Sequence, residues 1–466
     1  MAYFRSQVTL SRLRERVGER AGLARGSLHR VRAFAISTIF TVTAVLAAGC
    51  TTGQSHDGSN GGSSGSGGTG GSSSGSGGAT GPSGAGGGAV TGGGGARTTG
   101  SGGVTGGGGV TGGGGVTGGA GISGGGGAAA CTNAAVSATA AAQLSAAYQS
   151  WKTAFIMDCP ANNSAVVLKD GSSVVSEGIG YGMLLAVANN DQALFDKLWK
   201  FYSDHLDPQG LMNWAMDACA VPGNNNANSA TDGDLDTAMA LVQADAAWGG
   251  YATAAKTLIG KIKQSETDSC TNGLDVLRPG DKFGGCSDTN AGNMGKVNPS
   301  YFAPGYYRVF ALVDAANAAF WIKLAADSYT LLAQYQATMG GLVPEWGFAN
   351  GTTDGSAYGY NACRTPWRVA VDFLWFCTPE ARTFLQGIST YVDAHGGVAN
   401  VPFDKNSAFL GAFALSAMPL GQSKLDTYVA SWLGAQVSDT PYFQGTLRRL
   451  YLHAAAGQFA LPRVAP

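Results

Sequence analysis

An all-α fold is what this sequence predicts: a toroid of about a dozen helices carried behind a long disordered linker. Three observations lead there. From Cys131 to Pro466, apolar residues recur at three- and four-residue spacing, and runs of period-two alternation are scarce. The periodic stretches are separated by loops rich in Gly, Asn, Asp and Pro. Ahead of them, residues 51–130 carry no periodicity at all. So many helices in one domain, joined by polar loops, suit a closed ring better than a bundle.

Taken in order, residues 1–50 read as an export signal. Eight arginines precede the apolar run "AFAISTIFTVTAVLAAG", which is short for a membrane span and about right for a signal core. The run ends in "LAAGC", which resembles a bacterial lipobox, so Cys50 is expected to carry a lipid after cleavage. A plain signal peptide or an uncleaved anchor would also deliver the rest of the chain outside, to the periplasm, the outer surface or the medium. Residues 51–130, with "GGSSGSGGTGGSSSGSGG" and repeated "GGGGVT", have too little apolar surface to offset ordering entropy. A coil of this kind reaches on the order of 50 Å and suits a tether.

Residues 131–466 form the expected catalytic domain. Its helical stretches are "AAVSATAAAQLSAAYQSWKTAFI", "ALFDKLWKFYSDHL", "LDTAMALVQADAAWGGYATAAKTLIGKIK", "AAFWIKLAADSYTLLAQYQATM" and "EARTFLQGISTYVDAHG". Seven cysteines lie beyond Cys50. In an oxidising compartment some should pair, and the odd number leaves one free. Cys270 and Cys286 bracket a Gly/Asp/Asn loop and are the first candidate bridge. The domain carries roughly seven net negative charges, a poor match to nucleic acid. The expected assembly is a monomer that meets a membrane only through the lipid.

Chemistry concentrates in a few loops. In "SEGIGYGM", Glu177 stands beside glycines that allow close backbone approach, at the mouth of an apolar helix. It reads either as a desolvated acid with a raised pKa or as a helix N-terminal charge complementing the dipole. In "ATDGDLDTAMALVQADAAW", Asp232, Asp234 and Asp236 alternate. A calcium loop would need glycine and glutamate where Thr237 and Gln243 stand. Capping by Thr231 or Asp232 is the plain alternative, although three acids exceed what a cap needs. Trp214, Phe283, Tyr358, Tyr360 and Trp367 place aromatic rings in polar loops near these acids, the company sugar rings keep.

No nucleophile elbow, P-loop, dinucleotide fingerprint or metal-ligand spacing appears, so no cofactor or metal is expected. The three histidines of the domain stand in no motif. What remains is carboxylate acid/base chemistry in an aromatic cleft, the way glycosidic bonds are cut.

Five segments together, "SEGIGYGM", "ATDGDLDTAMALVQADAAW", "NPSYFAPGYYRVF", "GLVPEW" and "YNACRTPWR", resemble glycoside hydrolase family 8, in the family's order. The resemblance implies an (α/α)6 barrel with a cleft across one end. It implies inverting endo-hydrolysis of a β-1,4-linked glycan such as cellulose, mixed-linkage glucan, xylan or chitosan. By the same resemblance Glu177 is the general acid, and Asp232 touches the distorted sugar at the cleavage point. Trp214 stacks on the glycone side, and Tyr360 and Arg364 contact sugar past the scissile bond. Phe283 stands where many relatives have tryptophan, and Thr237 replaces the usual Ile or Met.

Asn361 is the departure. Many relatives carry an aspartate there as general base, and an amide cannot take a proton from water. Some members lacking this base use a carboxylate on a nearby loop. Here the acids within reach are Glu345, which reads as structural, and Asp354, the expected base, with Asp232 acting through a water as the next option. The other outcome is a catalytically impaired protein that still binds glycan.

Overall fold

The computed structural model describes residues 131, 133–223, 228–435 and 439–464. The expected signal, Cys50 and the linker lie outside these residues.

Two short helices, α1 (Ala138–Ala141) and α2 (Leu144–Phe155), open the domain. They are followed by α3 (Ser176–Ala188), α4 (Gln192–Asp204), α5 (Thr231–Trp248), α6 (Ala252–Ser265), α7 (Pro304–Val313) and α8 (Ala318–Thr338). The last five are α9 (Thr365–Phe376), α10 (Pro379–Ala394), α11 (Ser407–Leu415), α12 (Gln422–Gly434) and α13 (Tyr442–Ala455). From α2 onward the chain alternates between an outer and an inner ring. The inner helices are α3, α5, α7, α9, α11 and α13. Contacts run α3–α5, α7–α9, α9–α11 and α11–α13, and α13 returns to α3. Outer α4, α6, α8, α10 and α12 each pack on the preceding inner helix, and α2 packs on α13. This is the (α/α)6 barrel.

Composition sorts the two rings. Every residue of α11, "SAFLGAFAL", is buried, as is almost all of the first three turns of α5. A helix apolar all round can only be central. Outer α4 buries Leu194, Phe195, Leu198, Phe201 and Tyr202 on one stripe and leaves its charges to solvent. The long apolar pattern of residues 235–263 is two helices, not one. Gly249 and Gly250 at φ 75° and 90° stop α5 and reverse the chain, a conformation that costs other residues more. Capping supports other starts: Asp191 accepts from Leu194 N, Thr378 from Ala381 N and Asn406 from Ala408 N.

Small antiparallel pairs brace the loops. They are β1 (Ile156–Cys159) with β2 (Ser164–Val167), β3 (Ser173–Val175) with β4 (Ala215–Asp217), β5 (Thr267–Ser269) with β6 (Asp275–Leu277), and β7 (Lys296–Val297) with β8 (Gly347–Phe348). Three disulfides, Cys131–Cys377, Cys159–Cys219 and Cys270–Cys286, staple the domain. The Cys270–Cys286 bridge expected from loop composition is among them, and Cys363 is the free thiol among the described residues, buried.

Candidate active site

The site lies where inner helices begin. Glu177 is the second residue of α3 and Asp232 the second of α5; Arg364 immediately precedes α9; Tyr442 opens α13. Helix N-termini carry unpaired N–H groups and partial positive charge, so buried carboxylates are favoured there. α3 and α5 approach closely because Gly233 and Gly180 face each other's helix. A methyl on Gly233 would lie 2.6 Å from the Ser176 carbonyl carbon, and one on Gly180 2.9 Å from the Gly233 oxygen. This packing sets Glu177 and Asp232 side by side.

Arg364 joins them. One nitrogen, Nη1, donates to Glu177 Oε2 at 2.5 Å and to Asp232 Oδ2 at 2.6 Å. The guanidinium is 2 % exposed, with the Tyr301 ring centroid 5.2 Å and the Phe443 centroid 5.8 Å away. Tyr442 Oη donates to the other Glu177 oxygen at 2.8 Å, and Gly233 N donates to Asp232 Oδ1 at 3.0 Å. Burial pushes the Glu177 carboxyl up, Arg364 and the Tyr442 hydrogen bond pull it down, and the Asp232 charge pushes it up again. The balance leaves it at about 7. An acid poised there holds its proton near neutrality and can still release it, as a general acid requires.

Asn361 closes the far side of the arginine. Its Oδ1 accepts from Arg364 Nη2 at 3.2 Å, which turns the amide NH2 the other way. Asn361 Oδ1 and the Glu177 carboxyl thus bind one guanidinium, Asn361 on Nη2 and Glu177 on Nη1. An amide at this position cannot take a proton from water. Asn361 N donates to Glu345 Oε1 at 3.0 Å, so Glu345 braces the segment.

Asp354, expected on a loose stretch, is held. Its carboxylate pairs with Lys296 Nζ at 3.1 Å and accepts from Ser356 N at 3.0 Å, and its backbone N donates to Trp346 O. Burial raises its pKa, but the Ser356 and Lys296 hydrogen bonds outweigh that and hold it below the ordinary carboxylate range. It is ionised and weakly basic. Lys296 also lies 5.3 Å from the Trp346 ring, which meets Phe283 edge-on at 5.7 Å. Asp354 and the predicted sugar platform Phe283 thus share one bank of loops.

Trp214 is half-buried on the loop leading into β4, and its carbonyl accepts from Ser176 N, one residue before Glu177. Tyr360 is 40 % exposed; its Oη donates to Asp404 at 2.6 Å and accepts from Asn406 Nδ2 at 3.0 Å. Arg364, expected to contact sugar, is the buried counter-ion of the two acids. Sequence reading missed Tyr442, Tyr301 and Phe443. Tyr301 lies in a segment singled out as "NPSYFAPGYYRVF", but nothing local marks which of its aromatics faces the acids.

Among the described residues no cluster of three or more His, Cys, Asp or Glu side chains is arranged to hold a metal ion. The arrangement is a carboxylic acid, a partner carboxylate and a shared arginine beside loop aromatics, the equipment of a glycoside hydrolase. Comparison with known proteins agrees. The family model for Glycosyl hydrolases family 8 matches residues 127–401. Endoglucanase 2 of Ruminiclostridium josui is 35% identical over 339 residues, covering 67% of this chain and 70% of its own. Endoglucanase A of Acetivibrio thermocellus is 34% identical over 351 residues, covering 68% and 69%. The apo structure of a beta-1,3-1,4-glucanase from Paenibacillus sp. X4 superposes with a TM-score of 0.62 at 24% identity, over 71% of this chain and 96% of that one. The chain belongs to glycosyl hydrolase family 8 and is an endo-acting glycoside hydrolase.

Proposed function

We propose that this protein is an exported, surface-tethered endo-β-1,4-glucanase that cleaves with inversion. The observation that carries this is the Glu177 carboxyl, held near neutrality between Arg364, Asp232 and Tyr442 at the mouth of the barrel. Relatives named endoglucanase support the substrate class. Glu177 protonates the leaving glycosidic oxygen. Asp232, buried beside it, stabilises the positive charge that develops on the sugar ring. Trp214 and Phe283 bind sugar faces on one side of the scissile bond, and Tyr360, Asn361 and Arg364 border the other.

Asp354 is the proposed base. It is ionised, and the Lys296 contact that weakens it is partly exposed and breakable on substrate binding. Purified full-length protein should release reducing ends from soluble cellulose derivatives or mixed-linkage glucan, with the newly formed end in the α-configuration by NMR. Asp354→Asn should lower kcat by about 10²-fold or more. An unchanged rate removes Asp354 from the mechanism.

A second reading is favoured by Asn361 alone: a protein that keeps the cleft and binds glycan without cutting it. Wild type that binds cellohexaose yet hydrolyses none of cellulose derivatives, mixed-linkage glucan, xylan or chitosan would establish it. Surface tethering rests on Cys50. Cys50→Ser should move the protein from the membrane fraction to the soluble fraction or medium, and unchanged fractionation would refute the lipid anchor.

A further inference from the structure

The three aspartates of α5 find three different partners. Asp232 meets Arg364, and Asp236 meets Arg368 through both oxygens, one of them at 2.8 Å. Asp234 lies two residues from each, hence across the helix, and meets no cation. Its Oδ1 accepts from Tyr202 Oη and from Met212 N at 3.1 Å. Behind it stand three further acids from three other segments. Glu266, just after α6, accepts from Ser229 Oγ at 2.6 Å. Asp281 accepts from Ser229 N at 2.9 Å. Asp207 accepts from Gln209 N at 2.8 Å and Leu211 N at 3.0 Å.

All four carboxyl groups are more than nine-tenths buried, and each has one oxygen with no donor: Asp234 Oδ2, Glu266 Oε2, Asp207 Oδ2 and Asp281 Oδ2. Asp234 lies within hydrogen-bonding reach of Glu266, and Asp207 of Asp281. Two carboxylates cannot bond each other, whereas a carboxylic acid and a carboxylate can. Two nearby basic side chains are engaged with other groups. Arg278, on the segment of Asp281, is directed at Gly284 O, Ser265 O and Asp268, and both ring nitrogens of His205 face the carbonyls of Phe201 and Ala220.

We propose that Asp234 with Glu266, and Asp207 with Asp281, are proton-sharing pairs that position the catalytic face of α5 and the Trp214 loop. One proton per pair supplies the missing donors and halves the buried charge. What the pairs hold is specific. Asp234 grips Met212, two residues before Trp214. Ser229, gripped by Glu266 and Asp281, lies three residues before Asp232, and Asn228 O accepts from Trp214 N at 3.0 Å. Burial pushes the Asp234 carboxyl to about 7 and that of Glu266 well above its ordinary value, the direction a retained proton requires. A carboxyl raised in the fold adds stability below its unfolded pKa and loses it as pH rises through the folded one. The scaffold beneath the site therefore loosens on the alkaline side.

The test uses full-length protein in a Glu177→Gln background, which removes the nearby catalytic titration. Thermal midpoint and cellohexaose affinity are followed from pH 5 to 9. The parent should lose about 5 °C or more between pH 6 and 9 and bind several-fold more weakly. Asp234→Asn and Glu266→Gln, amides that donate permanently, should match the parent at pH 6 and lose less than half as much at pH 9. Asp234→Ala should be impaired at every pH. The proposal is overturned if the amide variants melt as low as alanine at pH 6, if all curves run parallel, or if calcium raises the parent midpoint and a chelator lowers it. The midpoint does not depend on the glycan reading, so failure of that reading would show in the affinity alone.

Discussion

Glu177→Gln should lower kcat on soluble β-glucan by about 10²–10⁴-fold while KM stays within a few-fold. Glutamine has the shape of the acid, and its carbonyl can still accept from Tyr442 or Arg364, so the cleft should keep its form. It cannot hand a proton to the leaving oxygen. The loss should therefore depend on the leaving group: an aryl glycoside whose phenolate departs unaided should recover much of the rate. In wild type the same residue sets the alkaline limb. Activity needs the protonated form, so kcat/KM should fall as pH rises through about 7. A variant that keeps wild-type turnover, or a wild-type alkaline limb far above 7, would remove Glu177 from the acid role.

The second large effect falls on Arg364. Its guanidinium is the counter-ion of two buried carboxyl groups, so Arg364→Met strands both without a cation. Breaking a buried pair in this way costs about 3–5 kcal/mol. The sign with pH follows from Glu177. Arg364 is the principal influence holding that carboxyl down, so without it the folded pKa rises above about 7. The destabilisation should be largest at neutral and alkaline pH and should shrink as pH falls toward the unfolded carboxyl range, where protonation removes the stranded charge. Arg364→Lys should rescue only partly, because a single ammonium on a shorter reach cannot reproduce the fork that also holds Asn361. Urea unfolding at pH 4.5 and pH 7.5 separates the cases, and equal losses at both pH values would contradict the counter-ion role.

Much of the fold was legible in periodicity. The 3.6-residue pattern, the scarcity of alternation and the polar loops specify helices, although "SAFLGAFAL", the most deeply buried helix, was not among the stretches singled out. One boundary was missed because the apolar spacing runs on through Gly249 and Gly250, where positive φ breaks the helix. Glu177 was marked as a candidate too: it stands between Ser176 and Gly178 at the start of an apolar helix, a setting that left a desolvated acid and a helix N-terminal charge both open.

By itself, the sequence determined the helical class, the family and the asparagine at position 361, because those depend on residue type and local spacing. The tertiary structure decided partnership. Asp232, Asp234 and Asp236 look equivalent in the chain. They diverge because a helix turns about 100° per residue, and what each meets was brought there by other segments. Arg364 arrives from 132 residues away to join Asp232 to Glu177, and Glu266 comes back to Asp234 from the far end of the α5–α6 hairpin. Charge compensation between buried groups is a long-range property of packing, and no window of sequence contains both partners. The same holds for Asp354: its chain neighbours suggested a loose carboxylate, and Lys296, 58 residues earlier in the chain, ties it down.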